Sequence, residues 1–298
     1  MRHTRRAVAF IVLAAISGGC KPAVDHSTAS YTYATDDFGH TIVVGAPPKR
    51  IVSLNPATTE ILFAIGAGNR LVGRSHWDSW PDSVKYVTDV GNAMGPNVEA
   101  VLQTHPDLVI LYASNDNRAA DARFRQAGIH SIAIRTDSIS QFRSATLLLG
   151  QLVGDTVRAR AVVDSVDRTL ERVRAAAAAK PKTSVFFHAW DSPLITIGNR
   201  SFLNELVMIA GGRNVYGDVN EVSPVVTLED VVKRNPDILL VAPVTQQKIL
   251  SSPQWQAVPA VRAKRVFAFD TNVVGRPSVT LGMAAVNLAN LLHPGLIK

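Results

Sequence analysis

The chain has 298 residues, with 31 Lys and Arg against 24 Asp and Glu, 47% hydrophobic and 18% charged. That apolar fraction excludes intrinsic disorder, a single Cys excludes a disulfide framework or a thiolate zinc site, and the length is near the size where one core divides into two. The formal charge of +7 falls to +4 once residues 1–19, with three arginines and no acids, are set aside, and no Lys/Arg run with interleaved aromatics remains to hold nucleic acid.

Met1–Arg6 is basic, Ala7–Ile16 is an uninterrupted apolar run, and Ser17-Gly18-Gly19-Cys20 closes it with small residues and the only cysteine. About ten apolar residues are too few for a hydrocarbon core that needs roughly twenty, so the segment reads as an export signal. A cysteine directly after the small residues resembles a bacterial lipoprotein signal, although Ser17 stands where that pattern prefers Leu. The resemblance implies a lipid anchor on Cys20, with residues 21–34 as a polar tether. The alternative is an ordinary secreted chain with a stray thiol near its start. Either way the remainder is expected outside the cytoplasm, in the periplasm or on the outer face of the cell membrane.

Two short strands are expected around Asp36-Asp37-Phe38-Gly39, then a strand at Arg50–Leu54 that Asn55-Pro56 ends. Thr58–Ile65 has a helical pattern, and Gly66-Ala67-Gly68 follows a helix instead of a strand, so it reads as a cap and not as half a dinucleotide fingerprint. Strands at Leu71–Arg74, Leu108–Tyr112 and Ser131–Ile134 alternate with helices at Val98–Thr104 and Arg118–Ala127. Such alternation predicts an α/β lobe with a mainly parallel sheet. Two long helical patterns follow, Ile139–Val153 and Thr156–Ala179, the second free of Gly and Pro and stopped by Pro181. Val162, Val163, Val166, Leu170 and Val173 form its apolar face. The α/β texture then returns, with strands at Ser184–Ala189, Ile238–Ala242 and Arg265–Phe269 and helices at Phe202–Ala210, Leu228–Lys233 and Val279–Leu292.

An internal echo supports two lobes joined by a rod. Asn97–Tyr112 and Thr227–Ala242 share Glu, Val, Pro, Asp and an apolar strand in register over sixteen positions, 130 residues apart. Each copy is a cap residue, a short helix, a Pro-Asp stop and a buried strand. The expected domains are a signal at 1–20, a tether at 21–34, lobes at 35–154 and 182–298, and a bridging helix at 155–181.

Several motifs together resemble one family: Arg50-Ile-Val-Ser-Leu-Asn-Pro-Ala-Thr-Thr-Glu-Ile-Leu-Phe-Ala, Trp77-Asp-Ser-Trp-Pro, Asn97-Val-Glu, Pro106-Asp-Leu-Val-Ile and Pro193-Leu-Ile-Thr-Ile-Gly. They are similar to substrate-binding proteins of ABC importers for vitamin B12, ferric siderophores and heme, from about residue 35 to the C-terminus. The resemblance implies two Rossmann-like lobes with mainly parallel sheets, bridged by one long helix, and a ligand cleft between them. It implies a non-enzymatic monomer without an intrinsic cofactor. Its ligand would be a cobalt or iron chelate, with a corrinoid favoured, delivered to a membrane permease dimer and its ATPase.

Carried over residue by residue, the resemblance implies that Trp77, Tyr112, Trp190, Ile195, Asn272 and Arg276 line the cleft, with Trp80 structural. Asn272 stands where the vitamin B12-binding relative has an acid, and two aromatic positions of that relative read Ala93 and Ser223 here. Glu99 and Glu229, equivalent in the two copies, would dock on the permease. The plainer reading of both is favourable placement at a helix start, worth about 0.3–1 kcal/mol. His76, His188 and Asp270 could be cast as ligands in the sister family that binds free zinc or manganese, but the histidine-rich loop common there is missing, so hydrogen-bonded roles are expected. No nucleophile elbow, phosphate loop or His-Glu-x-x-His helix occurs. A secreted α/β hydrolase using Ser201 or Ser53 is the remaining enzyme alternative.

Overall fold

The computed structural model describes residues 32–270 and 275–298. The signal segment, Cys20, the start of the tether and Asn272 lie outside the described residues. Among the described residues no helix is long and apolar enough to cross a membrane.

A hairpin of β1 (Thr32–Thr35) and β2 (Thr41–Val44) precedes the first lobe. Strands β3 (Ile51–Leu54), β4 (Leu71–Arg74), β5 (Leu108–Tyr112) and β6 (His130–Ile134) then form a parallel sheet ordered β4-β3-β5-β6. Helices α1 (Pro56–Ala64), α2 (Val98–Leu102), α3 (Arg118–Gln126) and α4 (Ile139–Val153) complete this lobe. After α5 (Thr156–Ala177) the pattern repeats with β7 (Thr183–Phe187), a small hairpin of β8 (Trp190–Asp191) and β9 (Leu194–Ile195), α6 (Phe202–Ile209) and β10 (Gly212–Asn214). Next come α7 (Leu228–Arg234), β11 (Ile238–Val241), α8 (Pro243–Ser251), α9 (Pro259–Arg262), β12 (Val266–Ala268) and α10 (Leu281–Leu292). The second parallel sheet is ordered β10-β7-β11-β12. The expected α/β class with two parallel-sheet lobes is therefore observed.

Side chains alternate across each sheet, as the period of a strand requires. Ile51, Ile110, Val185 and Leu240 face one continuous core with α1, α4, α5, α6 and α10. Val52, Val109 and Leu111 face a second core with α2 and α3, and Phe186, Leu239 and Val241 a third with α7 and α9. Because both faces are covered, the central strands are buried along their whole length, which explains their unbroken apolar runs.

Helix α5 has 22 residues and spans about 33 Å at 1.5 Å per residue. Asp155 caps its start by accepting from the Arg158 amide at 2.8 Å. Its buried residues are Ala159, Val163, Val166, Leu170, Val173 and Ala177, spaced alternately by four and three. This stripe packs on α4 from the first lobe and on α10 and α6 from the second, so one helix shares a core with both. It ends two residues short of the expected Ala179. Gly66 closes α1 at φ +80° and donates to the Phe63 carbonyl. A Cβ there would fall 1.7 Å from Nη1 of Arg158 on α5, a flexible side-chain end that can move aside, so the positive φ is what favours glycine.

Candidate ligand-binding cleft

Strand order places the carboxyl ends of β3, β5 and β6, and of β7, against a shared crevice of about 600 Å³. Asn55 and Pro56 (after β3), Tyr112 (end of β5), and Thr136 and Asp137 (after β6) line it from the first lobe, with Trp77, Ala93 and Met94 from loops. Ala189, Ile197, Arg200–Leu203, Val222, Ser223 and Gly275–Pro277 line it from the second. Another depression of about 580 Å³ lies along β10 and is lined by the second lobe alone, so it does not join the two halves.

Two helices begin at this crevice. Asn55 caps α1, accepting from the Ala57 amide at 3.1 Å, while its own amide nitrogen donates to the Ile134 carbonyl at 3.1 Å and ties the cap to β6. Ser201 caps α6, accepting from the Leu203 amide at 3.3 Å. The positive ends of both helix dipoles thus meet the crevice from opposite lobes.

Trp77 is 64% exposed on the crevice wall, its edge against the His76 ring at 5.9 Å. A half-empty indole at a concave seam is poised to cover a flat apolar surface. The Tyr112 hydroxyl donates to Asp137 at 2.7 Å. Burial and then the Asp137 carboxylate push that phenol up to about 12, so it remains a neutral donor at any physiological pH. Arg276 also lines the crevice, but its guanidinium is only partly exposed and is bound to Glu60 of α1.

The other expected residues are distributed differently. Trp190 and Ile195 pair in register across the β8–β9 hairpin, and neither lines the crevice. Trp190 is exposed and its indole N–H donates to the Ser192 carbonyl, whereas Ala189 and Ile197, flanking the hairpin, form the wall. Glu99 and Glu229 are both exposed in the first turns of α2 and α7, whose caps Asn97 and Thr227 accept from Ala100 and Asp230. Glu99 is paired with Arg123 at 2.7 Å. His76 and His188 belong to separate carboxylate pairs, with Asp89 at 3.1 Å and Asp191 at 2.8 Å.

Sequence reasoning missed Glu60 and Asp78, two buried carboxylates close to the crevice. Glu60 left one usable signal, a lone charge in the otherwise uncharged helix α1. It also missed Met94 and Arg200, which lie in loops, and Phe202, the first residue of α6, none with a diagnostic spacing.

The model of the periplasmic binding protein family matches residues 51–273. The chain is 29% identical over 306 residues to an uncharacterized ABC transporter substrate-binding lipoprotein of Bacillus subtilis, YvrC, covering 97% of each. It is 27% identical over 234 residues to the vitamin B12-binding protein of Vibrio vulnificus, covering 78% of this chain and 86% of that one. The periplasmic heme-binding protein RhuT of Roseiflexus, in its apo form, aligns with a TM-score of 0.74 at 24% identity, over 85% of this chain and 100% of that one. At that identity the last likeness speaks for the fold. Two parallel-sheet lobes, one shared long helix and the family match lead to one conclusion: the chain belongs to the periplasmic binding protein family, whose members are substrate-binding proteins and not enzymes.

Proposed function

We propose that this chain is the extracytoplasmic binding component of an ABC importer that captures a bulky metal chelate, with a corrinoid favoured over heme or a ferric siderophore. The observation that carries the reading is the crevice itself, built from strand ends of both lobes and walled by an exposed indole. The relative named for vitamin B12 binding supports the ligand class.

The lining favours a chelate that brings its own axial ligands. The Tyr112 hydroxyl donates its hydrogen bond to Asp137, and the described lining holds no imidazole or cysteine. Residues 271–274 read Thr-Asn-Val-Val and add none by composition. An open-sided heme would meet only the Met94 thioether as a neutral donor. A corrinoid needs no such donor, and shape and aromatic contact would dominate its binding.

In this reading Trp77, Tyr112 and Arg276 contact the ligand directly, and Trp190, Ile195 and Asn272 are the further ligand-binding residues. Glu99 and Glu229 dock on the two subunits of a permease served by its ATPase, since each stands exposed at the same place in its lobe's capped helix. The anchor on Cys20 finds support in the lipoprotein name of the Bacillus relative. The working form is a monomer, with the domain limits expected above.

The deciding measurement is an absorption spectrum plus calorimetric titration of the purified protein against cyanocobalamin, hemin and a siderophore panel. Stoichiometric binding of cyanocobalamin, weakened at least tenfold by Trp77→Ala with unchanged melting, is expected. Failure of every probe to bind would overturn the reading.

A further inference from the structure

At the crevice wall a partly buried charge pair joins the two lobes across 216 residues of sequence. Arg276, in the loop before α10, places Nε at 2.8 Å and Nη2 at 2.6 Å from Oε1 of Glu60 on α1. Glu60 is 1% exposed, and its second oxygen is buried without a hydrogen bond of good geometry among the described residues, although the Ser278 side chain acts on the carboxyl. Asp78 lies near enough to act on both groups electrostatically, its Oδ2 held by the Ser75 amide and hydroxyl at 2.8 and 2.6 Å. Burial pushes both carboxyls above their ordinary range and outweighs the pull of the arginine. The guanidinium is thus committed to Glu60 through its Nε hydrogen bond and through Nη2 at ion-pair distance. An incoming ligand carboxylate or phosphate would have to displace Glu60 and leave a buried carboxylate unpaired.

We propose that Glu60 is a specificity-determining positioning residue: it holds Arg276 as a tie between the lobes and withholds it from ligand anions. The inference rests on the crevice being the ligand site. It deepens that reading by naming the ligand edge that fits the floor, one of amides or alkyl groups without a free carboxylate or phosphate. Removing the Glu60 charge releases a cation into the crevice and turns the preference toward anionic ligands.

Two measurements on Glu60→Gln test this, the first without any ligand. Phenylglyoxal modification, followed by peptide mass analysis, reads the accessibility of each arginine. Arg276 should react at least tenfold faster in the variant than in the wild type, with exposed Arg168 as the unchanged reference. Equal reactivity would overturn the proposal. Absorption titrations then compare hemin, which carries two propionates, with cyanocobalamin, whose charges cancel internally. The ratio of hemin to cyanocobalamin affinity should rise about tenfold, whereas a parallel fall of both affinities would make Glu60 merely structural. If wild-type protein binds neither probe, the ligand reading fails while the arginine reactivities still decide the tie. Should Glu60→Gln not fold, the charge-free double variant E60Q/R276M decides. Recovery of wild-type melting supports the pair, and melting no better than that of R276M alone overturns it.

Discussion

Asp107 and Asp237, 130 residues apart, clamp the same place in the two lobes. Asp107 accepts from the Lys49 and Arg50 amides at 2.7 and 3.0 Å, and Asp237 accepts from the Ser184 amide and hydroxyl, each at 2.7 Å. Each carboxylate therefore pins the entry of its lobe's central strand, β3 or β7, to the start of the neighbouring β5 or β11. Burial follows the same alternation over residues 101–110 and 231–240, and His105 and Asn235 share the left-handed turn at φ 49° and 44°. The Pro-Asp echo in the sequence is thus a repeated structural clamp.

Replacing Asp237 with Ala should cost about 1–2 kcal/mol at pH 7, since it removes hydrogen bonds to a charged but solvent-facing group. Burial opposes ionisation of Asp237, but the Ser184 hydroxyl and amide outweigh it and hold the carboxyl below its usual range. A depressed acid stabilises the fold above its unfolded pKa, about 3.9, and loses that contribution as pH falls through the folded value. Urea unfolding should therefore show a D237A deficit that is full at pH 7 and shrinks below about pH 4. A deficit independent of pH would contradict the clamp.

Tyr112 should ionise only at about pH 12, because its environment is buried and its hydroxyl donates to Asp137. The difference in alkaline absorbance near 295 nm between the wild type and Tyr112→Phe isolates this phenol. Asp137→Asn should shift its titration down toward the ordinary value near 10. An unshifted titration in that variant would leave burial as the sole cause.

His188 is 4% exposed, and burial holds its imidazole below the ordinary histidine range even though Asp191 pulls the other way at 2.8 Å. A folded base with a lowered pKa stabilises the protein above its unfolded pKa, about 6.5, and loses that contribution as pH falls toward the folded value. The urea midpoint of the wild type should accordingly drop between pH 7 and pH 5. His188→Gln, which cannot titrate, should flatten that part of the profile.

Glu99→Ala and Glu229→Ala together should leave ligand affinity within twofold of wild type while reducing cellular uptake at least tenfold. Both side chains are exposed, and the Glu99–Arg123 pair is a surface contact worth about 0–1 kcal/mol, so melting should scarcely change. Normal uptake in the double variant would remove the docking role.

Local chemistry made much of this protein readable in one dimension. Strands such as Leu108–Tyr112 announce themselves because burial on both faces demands unbroken apolar runs, and α4 starts and ends where Ser138 and Gly154 cap it. The spacing along α5 declared a helix with one apolar stripe, and the echo between residues 97–112 and 227–242 declared two lobes. Strand β10 was missed because its three residues, Gly-Arg-Asn, carry no apolar period and become a strand only by pairing with β7.

The site depended on contacts between distant parts of the chain, which no local period encodes. Trp190 and Ile195 follow the end of β7 and were expected on the wall, yet the turn of their hairpin leaves Ala189 and Ile197 there instead. Arg276 reads as a free loop cation until Glu60, which sits on the buried face of α1, is brought against it. Periodicity and caps determined which elements form. Only the packing of both lobes on α5 decided which side chains meet, because that packing brings residues hundreds of positions apart within hydrogen-bonding distance.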